Sequence, residues 1–198
     1  MSQRSRLRPL APEEWNERTR ELLGGSVAPV SELEGGGEAS GGPLNILRTI
    51  AHHPRLLEPF LGFAATLAMG GTLPRRASEL LALRAAWNCR SAFEWGHHVI
   101  YGRAVGLAEE EIRRIAEGPA HPAWSDEDRL LLRAADELHA GQDLCEATWT
   151  ALSQRWESAQ LLEIPFVVGH YTMLSMVAKA TGVPLEPGLP ELPELPSR

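Results

Sequence analysis

Two apolar helical segments with only two residues between them constrain this chain more than any other feature. Residues 75–88 carry Leu80, Leu81, Leu83, Ala85, Ala86 and Trp87, so the segment is apolar around most of its circumference and reads as a buried helix. A second helical segment, Ser91 to Val105, follows the short turn Asn88-Cys89-Arg90 and stops at Gly106. A turn this short lets the two helices pack antiparallel.

The same periodicity recurs along the chain. Pro12 opens a helix to Leu23, with Glu13 and Glu14 in its first turn and Gly24-Gly25 as its stop. Helical spacing returns over Leu44 to Ile50, breaks at His53-Pro54, and resumes to about residue 68. Thr72 or Leu73, ahead of Pro74, is the expected start of the segment at 75. Three acids at 109–111 open a short helix, and Ser125-Asp126-Glu127-Asp128 opens another that runs to about His139. Thr148 to Trp156 and Ser158 to Thr181 complete the set, with Pro165 expected to kink the last. No stretch alternates with period two, so the expected fold class is all-α.

Composition bounds the rest. A chain of 198 residues buries one sizeable core, and 43% hydrophobic with 23% charged residues is a globular balance. A net charge of -7 excludes a global basic footprint for nucleic acid. No apolar run reaches the roughly 18 residues of a membrane span, and the basic start lacks the apolar stretch of a signal peptide. The two cysteines, Cys89 and Cys145, form no disulfide framework. The expectation is a cytoplasmic protein with neither nucleic acid nor membrane as partner. Three regions are expected: an extension over residues 1–43 with one helix and a mobile glycine-rich loop from Gly24 to Pro43, a helical domain over 44–186, and a proline-rich tail over 187–198 in polyproline II form.

The second helix of the pair carries the chemistry. Ser91-x-x-Glu94 is the pattern of a capping box, in which the serine oxygen accepts from the Glu94 N–H and the Glu94 carboxylate reaches back to the Ser91 N–H. Glu94 and His98 also stand one turn apart on one face, with Tyr101 a turn further, and His97 sits about a hundred degrees round the helix. Glu79 lies in the apolar helix, where a carboxylate is costly unless paired. It either bridges to Arg75, Arg76 or Arg84, or approaches His98 across the antiparallel pair. Two carboxylates around one imidazole form a proton-transfer group that needs no metal or cofactor. No His-Glu-x-x-His and no Gly-x-Ser-x-Gly occurs, and no metal is expected, though His139 and His170 are available as ligands. A weak internal echo sets His98 and Tyr101 beside His170-Tyr171.

Leu-Pro-Arg-Arg-Ala-Ser-Glu-Leu (73–80), Ser-Ala-Phe-Glu-Trp-Gly-His-His (91–98) and Gly-Arg-Ala-Val-Gly-Leu-Ala-Glu-Glu-Glu-Ile (102–112) together resemble the carboxymuconolactone decarboxylase family. That family shares its fold with the AhpD-type alkylhydroperoxidases. Phe93 stands where a tyrosine is usual. The resemblance implies an AhpD-like helical bundle that assembles as a homo-oligomer, trimer or hexamer. The hydroperoxidase branch carries a Cys-x-x-Cys pair that falls here on Ser91 and Glu94, so its disulfide chemistry has no thiols to use. The decarboxylase branch carries the glutamate form of the motif. The resemblance therefore implies a cofactor-free decarboxylation, lactone opening or isomerisation of a small organic acid or lactone. It casts His98, Glu94 and Glu79 as catalytic residues. Arg84 or Arg48 would hold a substrate carboxylate, and His97, Trp95 and Tyr101 would line the substrate site. Thiol chemistry through Cys89 and a non-catalytic oligomeric binding protein are the alternatives.

Overall fold

In a computed structural model, residues 5–24 and 43–194 are described. Residues 25–42 of the expected mobile loop, and the last four residues of the tail, lie outside them. Among the described residues there are nine α-helices and no strand, so the protein is all-α. A 3-10 turn over Pro12–Glu14 precedes α1 (Glu17–Gly24), so the single helix expected over 12–23 is split. The break sits at Trp15, whose extended backbone interrupts the helical hydrogen bonds.

The chain forms two compact units, residues 1–70 with 176–189, and residues 71–175 with 190–198. The boundary falls at Gly70-Gly71.

In the first unit, α2 (Asn45–Ile50) and α1 each pack on α3 (Pro54–Met69). The ends of the unit are tied together by backbone bonds. The amides of Arg6 and Leu7 donate to the Thr181 carbonyl at 2.7 and 3.0 Å, and the Asn45 amide donates to Glu186 at 2.7 Å. Arg48 is spent within this unit, with Nε on the Leu10 carbonyl at 2.9 Å and Nη1 on Asn45 Oδ1 at 3.2 Å.

The second unit is built around α4 (Arg75–Asn88), which packs against α5 (Ala92–Ala104), α6 (Glu109–Glu117) and α7 (Asp126–Gly141). Eleven consecutive residues of α4, Ala77 to Trp87, are buried, as its unbroken apolar surface requires. Gly102 of α5 brings the helices close: a Cβ there would meet Leu107 at 3.0 Å and Leu83 at 3.3 Å. Pro74 has no cap to offer α4. Glu163 instead gathers the incoming strand of chain, its Oε2 accepting from Thr72 N at 2.6 Å, Thr72 Oγ1 at 2.7 Å and Leu73 N at 3.2 Å. The start of α7 follows its sequence signal, with Ser125 accepting from the Asp128 amide at 3.1 Å. α8 spans Glu146–Ser153, and the tail is held by Arg90 donating to the Pro193 carbonyl at 2.9 Å.

α9 (Ser158–Thr181) runs as one continuous 24-residue helix through Pro165. By length and composition it is apolar enough to cross a membrane, with a mean hydropathy of 1.4 over its best window, although no apolar run of that kind was expected. Buried core helices meet the same test, and Ile164 and Val167 are fully buried within the protein.

Candidate active site

The turn between α4 and α5 decides how the site is built. α4 closes in a Schellman arrangement: the Arg90 amide donates to Trp87 O and the Ser91 amide to Ala86 O, both at 2.9 Å. The left-handed position is taken by Arg90, with φ 52°, where glycine is usual. Its guanidinium lies 4.1 Å from the Trp87 ring, a cation–π contact that offsets part of that strain.

This closure consumes the Ser91 N–H. Only half of the expected capping box therefore forms: Ser91 Oγ accepts from the Glu94 amide at 3.4 Å, but Glu94 cannot cap the Ser91 amide in return. The Glu94 carboxylate turns inward, with Oε2 3.8 Å from His98 Nε2.

Glu79 approaches from α4 and supplies the close contact. His98 Nδ1 donates to Glu79 Oε2 at 2.6 Å, and Arg75 donates to Glu79 Oε1 at 3.0 Å. A carboxylate bridged in this way has only acceptors to offer, so Nδ1 is the protonated ring nitrogen and Nε2 faces Glu94. Both sequence readings of Glu79, ion pair and histidine partner, hold at once. Glu79 orients the ring, and Glu94 stands beyond hydrogen-bond length from the other nitrogen. Glu79, Glu94 and His98 are 1%, 3% and 3% exposed, so these charges interact in a medium that screens them weakly.

Tyr171 is the residue that sequence reasoning missed. From α9 its ring stands edge-on to His98 at 4.1 Å, nearer than Tyr101 at 5.4 Å. Burial, then the nearby charges of Glu79 and Glu94, push its phenol well above the usual tyrosine range, so it remains a proton-bearing donor. The echo of His98-Tyr101 in His170-Tyr171 was the available signal. His170, buried beside Tyr171 with ring centroids 4.9 Å apart, has its pKa lowered to about 4, chiefly by burial and then by the charge of His98. Tyr101 and Tyr171, which touch this cluster, are half-buried, and Arg75 is exposed.

The remaining expected residues take other positions. Arg84 is committed to Asp136 through Nε at 2.6 Å and Nη2 at 2.9 Å, while its Nη1 donates to the Ile115 carbonyl at 2.6 Å. Gly118, with φ 94°, makes room for it: a Cβ there would lie 2.9 Å from Arg84 Nη2. A substrate carboxylate would have to displace Asp136. Arg48 belongs to the first unit and is engaged there. His97 binds the Phe93 carbonyl through Nδ1 at 2.8 Å, one turn back along its own helix. Trp95 is buried with its ring 6.0 Å from Trp87. Cys89, the C-cap of α4, places Sγ 3.8 Å from both His139 Nδ1 and Thr172 Oγ1. Among the described residues no group of three or more His, Cys, Asp or Glu is placed to hold a metal ion.

Residues 54–137, which contain all of α4 and α5, match the sequence model of the Carboxymuconolactone decarboxylase family. No curated protein matches the sequence. In fold the chain is similar to the alkylhydroperoxidase AhpD core of an uncharacterized peroxidase-related protein from Ralstonia eutropha JMP134. That pair has a TM-score of 0.74 at 15% identity, over 92% of this chain and 93% of the other. An uncharacterized peroxidase-related protein from Silicibacter sp. TM1040 gives 0.71 at 18%, over 92% and 94%. A variant of the debrominase Bmp8 in complex with 2,3,4-tribromopyrrole gives 0.66 at 14%, over 94% and 95%.

Proposed function

From the premise that residues 54–137 are a carboxymuconolactone decarboxylase family segment in an AhpD-like fold, we propose that this protein is an acid–base enzyme acting on a small organic acid or lactone. The observation that carries the reading is the buried imidazole of His98. Glu79 holds Nδ1 at 2.6 Å, and a second carboxylate, Glu94, stands 3.8 Å from Nε2.

Each group has a role that follows from this geometry. Glu79, held by Arg75, fixes the ring and its tautomer and stabilises the imidazolium. Nε2 then exchanges the proton with substrate. When a lactone acid loses carbon dioxide, the bonding pair passes into conjugation with the lactone carbonyl as a dienolate. A proton from Nε2 quenches it, and Glu94 beside Nε2 returns a proton to the ring afterwards. Tyr171, kept protonated by burial and by the two acids, is placed to donate to the developing oxyanion. The chain's own side chains suffice for each step.

The direct test incubates the purified chain with a panel of unsaturated lactone carboxylic acids and follows carbon dioxide release together with substrate absorbance. Turnover by the wild type that disappears in His98→Gln supports the reading. Equal turnover in the two proteins, or none on any lactone acid, sinks it. The thiol alternative rests on the Cys89–His139 contact, and hydroperoxide consumption that Cys89→Ser abolishes would favour it instead.

A further inference from the structure

Between α7 and α8 lies a cavity of about 190 Å³, lined by Asp126, Arg129, Leu130, Arg133, Ala151 and Arg155. α7 contributes Asp126, Leu130 and Arg133 at i, i+4 and i+7, which fall in one row along a helix, with Arg129 beside them. α8 packs on α7 and brings Ala151. The turn after it, closed by the Arg155 amide on the Leu152 carbonyl at 2.9 Å, brings Arg155. All six residues belong to the second unit.

Three of the six are arginines, in a chain of net charge -7, and the three are not equivalent. Arg129 is spent on structure, its Nη2 donating to the Trp124 carbonyl at 2.9 Å, so it forms a fixed wall. Among the described residues no hydrogen bond or ion pair engages the side chain of Arg133 or of Arg155, and both are exposed. Elsewhere on the surface arginines take acids: Arg8 takes Glu14, Arg18 takes Glu58, Arg103 takes Glu109 and Arg113 takes Glu110. Two guanidinium groups without an acid, lining one cavity, make a donor pair for an anion.

The other lining groups narrow the chemistry of that anion. Buried Leu130 and half-buried Ala151 give the cavity an apolar floor, extended by the methylene stems of the arginines. A hydrated inorganic anion gains nothing from such a floor, whereas a carboxylate on an apolar ring or chain does. Asp126 stands seven residues from Arg133 on the same row, about 10 Å along the helix axis. A second negative group on the ligand would meet the Asp126 carboxylate, so a monoanion is favoured over a dianion. The volume is below the roughly 300 Å³ at which drug-sized sites begin, and suits a ligand the size of a single ring. We propose that the cavity between α7 and α8 binds a small apolar monocarboxylate, gripped by Arg133 and Arg155, with Asp126 turning dianions away. Its six residues are distinct from Glu79, Glu94 and His98, so this site stands or falls apart from the acid–base reading.

Isothermal titration calorimetry of the full chain with sodium benzoate tests it, with benzamide, inorganic phosphate and terephthalate as comparisons. The wild type should bind benzoate saturably, one per chain, and more tightly than phosphate or terephthalate, while benzamide should give no saturable heat. Arg133→Gln and Arg155→Gln should each weaken benzoate by about 10-fold, the scale of one lost charge-assisted hydrogen-bond partner. The double variant should abolish binding with its far-UV circular dichroism unchanged. Asp126→Asn should tighten terephthalate more than benzoate. Amide chemical-shift changes in the wild type should centre on Leu130 and Ala151, a readout that needs no variant. His98→Gln should bind benzoate as the wild type does. Loss of binding in His98→Gln but not in the arginine variants would put benzoate in the acid–base cluster, overturning the proposal and leaving that reading intact. No saturable binding of benzoate, equal affinity for benzamide or phosphate, full binding by the double variant, or shift changes away from α7 and α8 would each overturn it as well.

Discussion

α4 builds two buried charge clusters little more than a turn apart, and they end up very differently. Arg84 is closed off: Asp136 takes Nε and Nη2, Ile115 takes Nη1, and Asn88 adds a further bond to Asp136 at 2.8 Å. Glu79 is held by Arg75 on one oxygen and meets an imidazole on the other. It grips one nitrogen of His98, and the other nitrogen looks across 3.8 Å at Glu94. A cluster whose donors and acceptors all match can hold helices together but has no site left for a substrate. A ring fixed on one side and poised on the other can bind and release a proton.

The strongest way to break this comparison is to exchange the consequences of mutating each centre. His98→Gln should lower turnover by roughly 100-fold or more, the scale of a lost general acid–base group, and the panel assay reads it directly. Arg84→Ala should instead cost about 3 kcal/mol of stability, because it strands Asp136 and the Ile115 carbonyl. Chemical denaturation measures that loss, and turnover per folded molecule should stay near wild type. If Arg84→Ala abolishes turnover in folded protein, the division between the clusters is wrong.

Acidification sharpens the contrast next. His170 is held neutral down to about pH 4 in the native state, against 6.5 for the ordinary side chain. The unfolded chain therefore binds more protons between those values. Stability is fully present above about pH 6.5 and falls as the pH drops toward 4, by on the order of 3 kcal/mol. A melting-temperature series over that window should show the slope, and His170→Asn should flatten it.

Two smaller effects close the series. Tyr171→Phe keeps the ring against His98 and removes only the donor. Turnover should fall about 10-fold, with stability unchanged to within roughly 1 kcal/mol; wild-type kinetics in this variant would remove Tyr171 from the site. Ser91→Ala removes one long cap bond, and denaturation should register a loss of about 0.5 to 1 kcal/mol.

Some of this was legible along the chain because its physics is local. Arg75–Asn88 begins and ends where the apolar run and the Asn88-Cys89-Arg90 turn place it, and Ser158–Thr181 likewise. The one-turn spacing put Glu94 and His98 on one face. Other features were not legible, because they depend on which group reaches a partner first. Ser91 matched a capping box, yet its N–H closes the preceding helix. Arg84 looked available for a substrate, and only Asp136 from α7 shows otherwise. Tyr171 lies far along the chain from His98, and no spacing rule ties the two.

The sequence by itself determined the helical class, the hairpin of α4 and α5, and the presence of two acids and an imidazole within it. Helical period, caps and short turns are set by neighbouring residues, so they can be read without a fold. Tertiary structure alone decided that Glu79 orients His98 while Glu94 stands off, and that Tyr171 joins them. Those outcomes follow from competition among buried groups for a limited set of hydrogen bonds and apolar contacts, and packing settles that competition.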